Sequence, residues 1–448
     1  MKPRYMLGGL AFAAVGLLAG ARAASACDGR SDKAIFQINQ PFNGGSKWTV
    51  NINHNGCSGM VIAKAIYQPA GGTARLVLNR GTVAEMHVPY LAGQPRFHDL
   101  DFGGLGGTAV QLTPQECDHG VLHPLDAEDP SSPQICEVHE SGGIAWKMSD
   151  DFRVDEQVKV FESSQIGNYN YINQWTFKAD GTIDVQMGFT GELLSPFEGT
   201  SYLPFGSRLE PESNSPVEVS GSHQHNIYYR LDFDIDGPGN DVVSRRVFAP
   251  YTGTAPDGSN ICATPGTCGT VTYAPIHTET AQSFSASSQN TWLIQDKSTK
   301  NADGRRIGYE LIPHITGIWR GRTTTDEPWS NADLWVTAFN RCELMVVDNV
   351  VGSGSDSRIP TDCGTPAKNL SKMLNGQSTD GANIVVWYAT RFLHHPRDED
   401  GPRMPIEFSG FEIAPRSFHH QIPIGPPPVG PGRPGPQPPG APLNDSDN

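Results

Sequence analysis

A chain of 448 residues with 37% hydrophobic and 9% aromatic content can bury a core, which excludes wholesale disorder. Its net charge of −15, from 33 basic and 48 acidic residues, has the wrong sign for a protein that coats nucleic-acid phosphates, so that class is set aside. An acidic surface instead attracts cationic small molecules or calcium, and 49 glycines with 36 prolines favour turns and strands over long helices.

Residues 1–23 read as a signal peptide. Lys2 and Arg4 precede an apolar run from Leu7 to Ala21, and Ala21-Arg22-Ala23 and Ala24-Ser25-Ala26 both offer small residues for cleavage. Cleavage after Ala23 would remove three basic residues and no acid, taking the charge from −15 to −18. The run is short for a membrane span and no later stretch approaches that length, so an exported protein without a span is expected. Residues 24–75 follow as a short β segment in which Trp48-Thr49-Val50-Asn51-Ile52 alternates. Residues 76–420 carry many short alternating segments, such as Gln157-Val158-Lys159-Val160-Phe161 and Thr182-Ile183-Asp184-Val185-Gln186-Met187, separated by Gly, Asn, Asp and Pro. Helical periodicity is scarce. The predicted fold class is mainly β, a large antiparallel β-sandwich. Residues 421–448 form a Pro/Gly-rich tail with little to bury, expected to be extended and exposed.

The cysteines are Cys27, Cys57, Cys117, Cys136, Cys262, Cys268, Cys342 and Cys363. An even count in an exported chain suggests disulfides, although eight cysteines admit 105 connectivities. Joining sequence neighbours gives Cys27–Cys57, Cys117–Cys136, Cys262–Cys268 and Cys342–Cys363. None forms a Cys-x-x-Cys zinc pair.

Three segments carry chemistry. Ser222 to Gly237 reads as one strand with alternating faces. His223, His225, Ile227, Tyr229, Leu231, Phe233 and Ile235 share an apolar face; Arg230, Asp232, Asp234 and Asp236 are expected to point outward. Two imidazoles at i and i+2 can hold one metal, although an isolated His-x-His is more often hydrogen-bonded structure. Ser164 to Phe177 is an aromatic strand after a Gly-Asn turn. Leu393 to Pro405 is a charged, proline-rich loop with a second histidine pair.

Together these segments resemble the copper amine oxidases, the quinone-containing amine oxidase family. The family's cofactor motif, Thr-x-x-Asn-Tyr-(Asp/Glu), corresponds to Gln165-Ile166-Gly167-Asn168-Tyr169-Asn170. Its His-Gln-His followed by Arg-Leu-Asp and Asp-Gly stands at His223 to Gly237, and its His-x-Pro-Arg-x-Glu-Asp-x-Pro-x-Met-Pro runs from His394 to Pro405. Glu85-Met86-His87-Val88-Pro89-Tyr90, Asp99 to Gly106, Cys117-Asp118 with Cys136 to Glu140, and Asp333-Leu334-Trp335-Val336-Thr337 are similar in the same order. The likeness covers about residues 75 to 415, the family's catalytic β-sandwich domain; the smaller domains that usually precede it have no counterpart in the residues ahead.

The resemblance implies copper held by His223, His225 and His394, with His395 the rival third ligand, and Tyr169 as the precursor of topaquinone. It implies Asp99 as the general base, with Asp101 the rival, Tyr90 as a hydrogen-bond partner of the quinone, Asn168 as a wedge over it and Phe97 as a channel gate. It implies a peripheral calcium site at Asp232, the Phe233 carbonyl, Asp234, Asn383 and Ile384, where Asn383 replaces the family's aspartate. Departures are Gln165 for Thr, Asn170 for the acid after the cofactor tyrosine, and His119 where a second cysteine often occurs. The implied partners are a primary amine and O2, and the implied assembly is a homodimer with hairpin arms. The implied activity is oxidation of a primary amine to aldehyde, ammonia and hydrogen peroxide. Two readings compete with it: a copper-binding β-sandwich that never forms the quinone, and an interaction protein working through its proline tail.

Overall fold

The computed structural model describes residues 32–194, 197–211, 213–315, 317–321, 327–347, 363 and 369–424. The signal-peptide reading, Cys27 and the tail beyond residue 424 lie outside the described residues.

Two large antiparallel sheets and a small three-stranded one form among the described residues, as expected for a β-sandwich. In the nine-stranded sheet, Lys33–Pro41, Lys47–Asn55, Gly59–Gln68 and Arg75–Pro89 lead in sequence order to His223–Phe233, then to Ile384–His394, Leu334–Ala338 and Thr280–Gln282; Arg96–His98 pairs with the end of Arg75–Pro89. The segment before residue 76 is therefore built into the same sheet as the histidine strand. The ten-stranded sheet runs Cys268–Ile276, Asp241–Tyr251, Thr291–Lys300, Arg306–His314, Met404–Arg416, Ile183–Gly191, Tyr169–Lys178, Asp151–Ile166, Pro133–Met148 and Val121–Pro124.

The alternation read from sequence becomes the core. Trp48, Val50 and Ile52 point inward from one sheet, and Ile183, Val185 and Met187 from the other, all fully buried. The Trp48 indole N–H donates to the Lys178 carbonyl at 2.9 Å, tying the sheets together. Close approach fixes one glycine: a Cβ at Gly81 would sit 2.7 Å from the Trp175 ring.

The central strand His223–Phe233 departs from expectation, because every one of its residues is buried. Arg230 and Asp232 are 1% exposed and Asp234 is 2% exposed, so the acids do not face outward. A second apolar cluster, including Trp329, Trp335, Leu370 and Met373, lies over the outer face. Arg230 is absorbed there: its guanidinium stacks 5.5 Å from Trp387 and its Nε–H donates to the Glu343 carbonyl at 2.9 Å. Asp236, past the strand end, is partly exposed and pairs with Arg75 at 2.6 Å. Next door, buried Arg391 donates to Asp333 at 2.8 Å and to the Ala332 carbonyl at 2.6 Å.

Cys117–Cys136, Cys262–Cys268 and Cys342–Cys363 are disulfides. Cys57 is also disulfide-bonded; its expected partner Cys27 is not among the described residues. No helix among the described residues is long and apolar enough to cross a membrane.

Candidate active site

The antiparallel pairing of His223–Phe233 with Ile384–His394 sets His223 directly opposite His394. His225 lies two residues on, on the same face, so three imidazoles meet between the sheets with their ligand atoms within 4.8 Å of one another. His223 Nε2 and His225 Nε2 are 3.1 Å apart. The outward nitrogens are committed elsewhere: His223 Nδ1–H donates to the Gly221 carbonyl at 2.9 Å, and His394 Nε2–H to Asp400 Oδ2 at 3.0 Å. This directs His223 Nε2 and His394 Nδ1 into the cluster. Burial, then the neighbouring His394, lowers His223 to about 3, and burial likewise holds His225 well below the usual range, so both imidazoles are neutral at neutral pH. His395 is exposed on the other face, where its Nδ1 meets the Ser222 hydroxyl at 2.6 Å.

Tyr169 reaches this cluster from the facing sheet. Its hydroxyl lies 2.8 Å from His223 Nε2 and 3.3 Å from His394 Nδ1. Burial raises the phenol far above its ordinary range, so it stays protonated at neutral pH. The backbone must turn tightly here. A Cβ at Gly191 would stand 2.3 Å from the Asn168 carbonyl oxygen, and Gly191 adopts φ +122°. Tyr90 stacks on His223 with ring centres 4.7 Å apart, and Phe97 meets Tyr90 edge-on at 6.0 Å.

Asp99 opens a short helical turn, Asp99–Phe102, and is 7% exposed. It accepts a 2.5 Å hydrogen bond from the Tyr171 hydroxyl, which is also 3.5 Å from His225 Nδ1. Burial is the largest cause raising Asp99 to about 7; the Tyr171 bond opposes it and Glu85 adds to it. Asp101, the rival, is only half-buried.

Residues 46–426 match the family model described as copper amine oxidase, enzyme domain. The chain belongs to the copper amine oxidase family.

Among relatives, primary amine oxidase of Pisum sativum is 26% identical over 427 residues, covering 87% of this chain and 60% of its own length. Histamine oxidase of Arthrobacter globiformis is 25% identical over 399 residues, covering 84% and 55%. Amine oxidase [copper-containing] gamma 1 of Arabidopsis thaliana is 25% identical over 420 residues, covering 85% and 56%. The chain thus spans little more than half the length of these relatives. Aspergillus nidulans amine oxidase has the same fold, with a TM-score of 0.68 at 19% identity, covering 85% of this chain and 52% of that one. The copper-containing benzylamine oxidase of Hansenula polymorpha gives 0.65 at 20%, covering 85% and 61%.

The departures from the copper amine oxidase pattern sit away from the histidines. Gln165 and Asn170 pair with each other across the hairpin. Asn170 lies between Tyr169 and Tyr171 in an alternating strand, so it takes the opposite face, where its side chain meets the Ser163 hydroxyl at 3.4 Å. The Asn168 side-chain amide donates to the Glu192 carbonyl.

Two features escaped the sequence reading. Asp400 supports His394 and is itself held by the Arg397 N–H at 3.0 Å. Its place six residues after His394 within the matching motif was the available signal. The second is a knot of side chains beside Asp99. His87 stands opposite His98, and Glu327 lies 3.2 Å from His87 and 3.6 Å from His98. Arg96 grips both oxygens of Glu327. Although burial opposes it, hydrogen bonds from His87, His98 and Arg96 hold the Glu327 carboxyl far below its ordinary value. The knot anchors Arg96–His98, the strand that delivers Phe97 and Asp99.

The expected calcium residues gather at the far end of the central strands, where Phe233 pairs with Ile384. Burial raises Asp232, and burial with repulsion from Asp232 raises Asp234 to about 6. Burial, then Asp234 and Asp296, raises nearby Asp241 to about 9.

Proposed function

We propose that the chain is the catalytic unit of an exported copper- and topaquinone-dependent primary-amine oxidase, taking R-CH2-NH2, O2 and water to aldehyde, ammonia and hydrogen peroxide. The observation that carries this reading is the Tyr169 hydroxyl inside the imidazole cluster, 2.8 Å from His223 Nε2. Three imidazole nitrogen donors suit Cu(II) and leave coordination positions for small ligands. His223, His225 and His394 would hold the copper and Tyr169 would become the quinone; when present, the pair supplies electron transfer to O2 and an electrophilic carbonyl that no ordinary side chain offers.

The remaining residues bind, orient and move protons. Asp99 takes the proton from the carbon bearing the amine, and its raised affinity for that proton suits neutral pH. Tyr171 holds Asp99 Oδ2 and so fixes the direction of the carboxylate. Tyr90 packs against His223 and keeps that ring in plane. Tyr169, Asp99 and the three histidines are all buried, which excludes bulk water from the reacting region.

Calcium at Asp232, the Phe233 carbonyl, Asp234, Asn383 and Ile384 belongs to the same reading, as does a homodimer. The Pro133–Met148 and Asp151–Ile166 hairpin exposes Ile144, Met148, Phe152 and Val154, an apolar arm suited to a second copy. Export is supported by the N-terminal pattern and by the three disulfides among described residues.

Copper added in air to metal-free protein should produce a visible absorption band and reactivity with phenylhydrazine. Tyr169→Phe should keep fold and copper and lose both colour and amine-dependent peroxide. Copper uptake by the wild type without colour would favour the copper-binding alternative. Peroxide from Tyr169→Phe would place the redox centre elsewhere, with Tyr171 the first suspect.

A further inference from the structure

The carboxylate end of the central strands holds acceptors without donors. Asp232 Oδ1, Asp234 Oδ1, Asn383 Oδ1 and both carboxylate oxygens of Asp241 are buried and have no hydrogen-bond partner. Asp241 is 0% exposed. Native proteins rarely leave a buried polar atom unpaired, and an enclosed carboxylate with neither oxygen satisfied carries a large desolvation cost.

The backbone explains why these groups meet. Phe233 lies opposite Ile384, which places Asp232 and Asp234 around the end of the Ile384–His394 strand. Asp241 forms an isolated bridge with Ala382: its N–H donates to the Ala382 carbonyl at 3.1 Å, and its own carbonyl accepts from the Gly381 N–H at 2.9 Å. Asp241 is thus stitched to the residue before Asn383. Across the neighbouring strand Asp241 lies directly opposite Asp296, so a further carboxylate stands at this end.

The nearest backbone donors, the Ile235 N–H toward Asp241 and the Gly239 N–H toward Asp234, do not make a hydrogen bond of normal geometry to the unmet oxygens. Asp232 Oδ2 is occupied by the Asn79 amide at 3.0 Å, with the Arg230 guanidinium at 4.0 Å. Asp296, the cross-strand partner of Asp241, is satisfied by the backbone N–H groups of Ser298 and Thr299. The unmet acceptors are all hard oxygens, the donor set of calcium rather than of a transition metal.

We propose that Asp241 is a ligand of a divalent-cation site shared with Asp232, Asp234 and Asn383, and that it restores the negative charge lost where Asn383 replaces the family's aspartate. The inference rests on the calcium reading above and deepens it: the charge count is kept by moving one carboxylate from position 383 to position 241. Affinity of such sites follows the number of charged ligands.

The test uses the copper-loaded full chain, stripped of calcium with a chelator selective for it. Calcium is then titrated by calorimetry, and melting is followed with and without the ion. Wild type should bind calcium and melt higher with it. Asp241→Asn should lose about tenfold or more in calcium affinity. Without calcium it should melt no lower than wild type, because a repulsive carboxylate has gone. Asn383→Asp alone should tighten binding, and Asp241→Asn combined with Asn383→Asp should return affinity close to that of wild type. Wild-type calcium affinity in Asp241→Asn, or no gain in Asn383→Asp, overturns the role of Asp241 while leaving the site. A wild type that takes up no calcium at millimolar concentration overturns the calcium reading itself.

Discussion

The strands His223–Phe233 and Ile384–His394 end in two unlike clusters. At one end, cross-strand pairing of His223 with His394 gathers three imidazoles; at the other, pairing of Phe233 with Ile384 gathers carboxylates and an amide. Eleven residues separate the ends, on the order of 30 Å of extended chain. The imidazole end is internally complete, since Gly221 and Asp400 occupy the outward nitrogens of His223 and His394. The carboxylate end is not, since its acceptors lack donors. One strand pair can therefore present a nitrogen site and an oxygen site, and the two differ in how much of each the protein completes by itself.

The strongest way to break this comparison is His223→Ala. It removes a ligand from a set drawn from distant parts of the chain, so copper binding and colour should both be lost. The calcium-dependent rise in melting temperature should survive, because the far end is untouched. Full copper occupancy in this variant, measured by metal analysis, would overturn the ligand assignment.

Asp99→Asn comes next. Copper and colour should remain, while turnover falls by about 10²-fold or more; Asp101→Asn is the control and should keep most activity. In the wild type kcat/KM should rise with pH through about 7, as the Asp99 carboxyl ionises. The same shift has a stability consequence. The folded protein holds this proton more tightly than the unfolded chain, so the contribution is favourable below the unfolded value and is lost as pH rises through about 7. Asp99→Asn should therefore melt higher than wild type at about pH 8 and match it at about pH 3. A dead Asp101→Asn beside an active Asp99→Asn would shift the assignment by two residues.

Asp400→Asn sharpens the comparison by making the imidazole end incomplete. Supporting carboxylates of this kind are worth about 10–100-fold in metal affinity, so a copper-competition titration should show a loss in that range. Unchanged affinity would reduce Asp400 to a turn cap for Arg397. The smallest effect belongs to Tyr171→Phe. The Tyr171 bond lowers Asp99, so its removal should move the kcat/KM profile to higher pH with only a modest loss at the alkaline plateau. An unmoved profile would show that the bond does not act on the base.

Much of this was legible from local spacing. His223 and His225 at i and i+2 announce a shared face, Trp48 to Ile52 and Ile183 to Met187 announce half-buried strands, and the order of motifs announces the family. What spacing could not show depends on partners far along the chain. The outer face of His223–Phe233 looked solvated because Trp329, Trp335 and Leu370, which cover it, come from much later segments. The His87, His98 and Glu327 knot needs a hairpin and a distant loop. Asp241 belongs to none of the matching motifs, and only the bridge to Ala382 brings it beside Asn383.

The adjacent histidines His394 and His395 bear on how the sheet keeps its alignment during folding. A one-residue slip of Ile384–His394 against its neighbour turns every side chain to the other face. Such a slip would set His395 opposite His223, so a histidine triad could still assemble in the misaligned sheet. Arg391 has no such understudy. Slipped, its guanidinium would leave Asp333 and Ala332 and turn into the apolar interior, breaking a buried ion pair at a cost of about 3–5 kcal/mol. Correct alignment is thus enforced by an arginine outside the metal cluster, before any metal is bound.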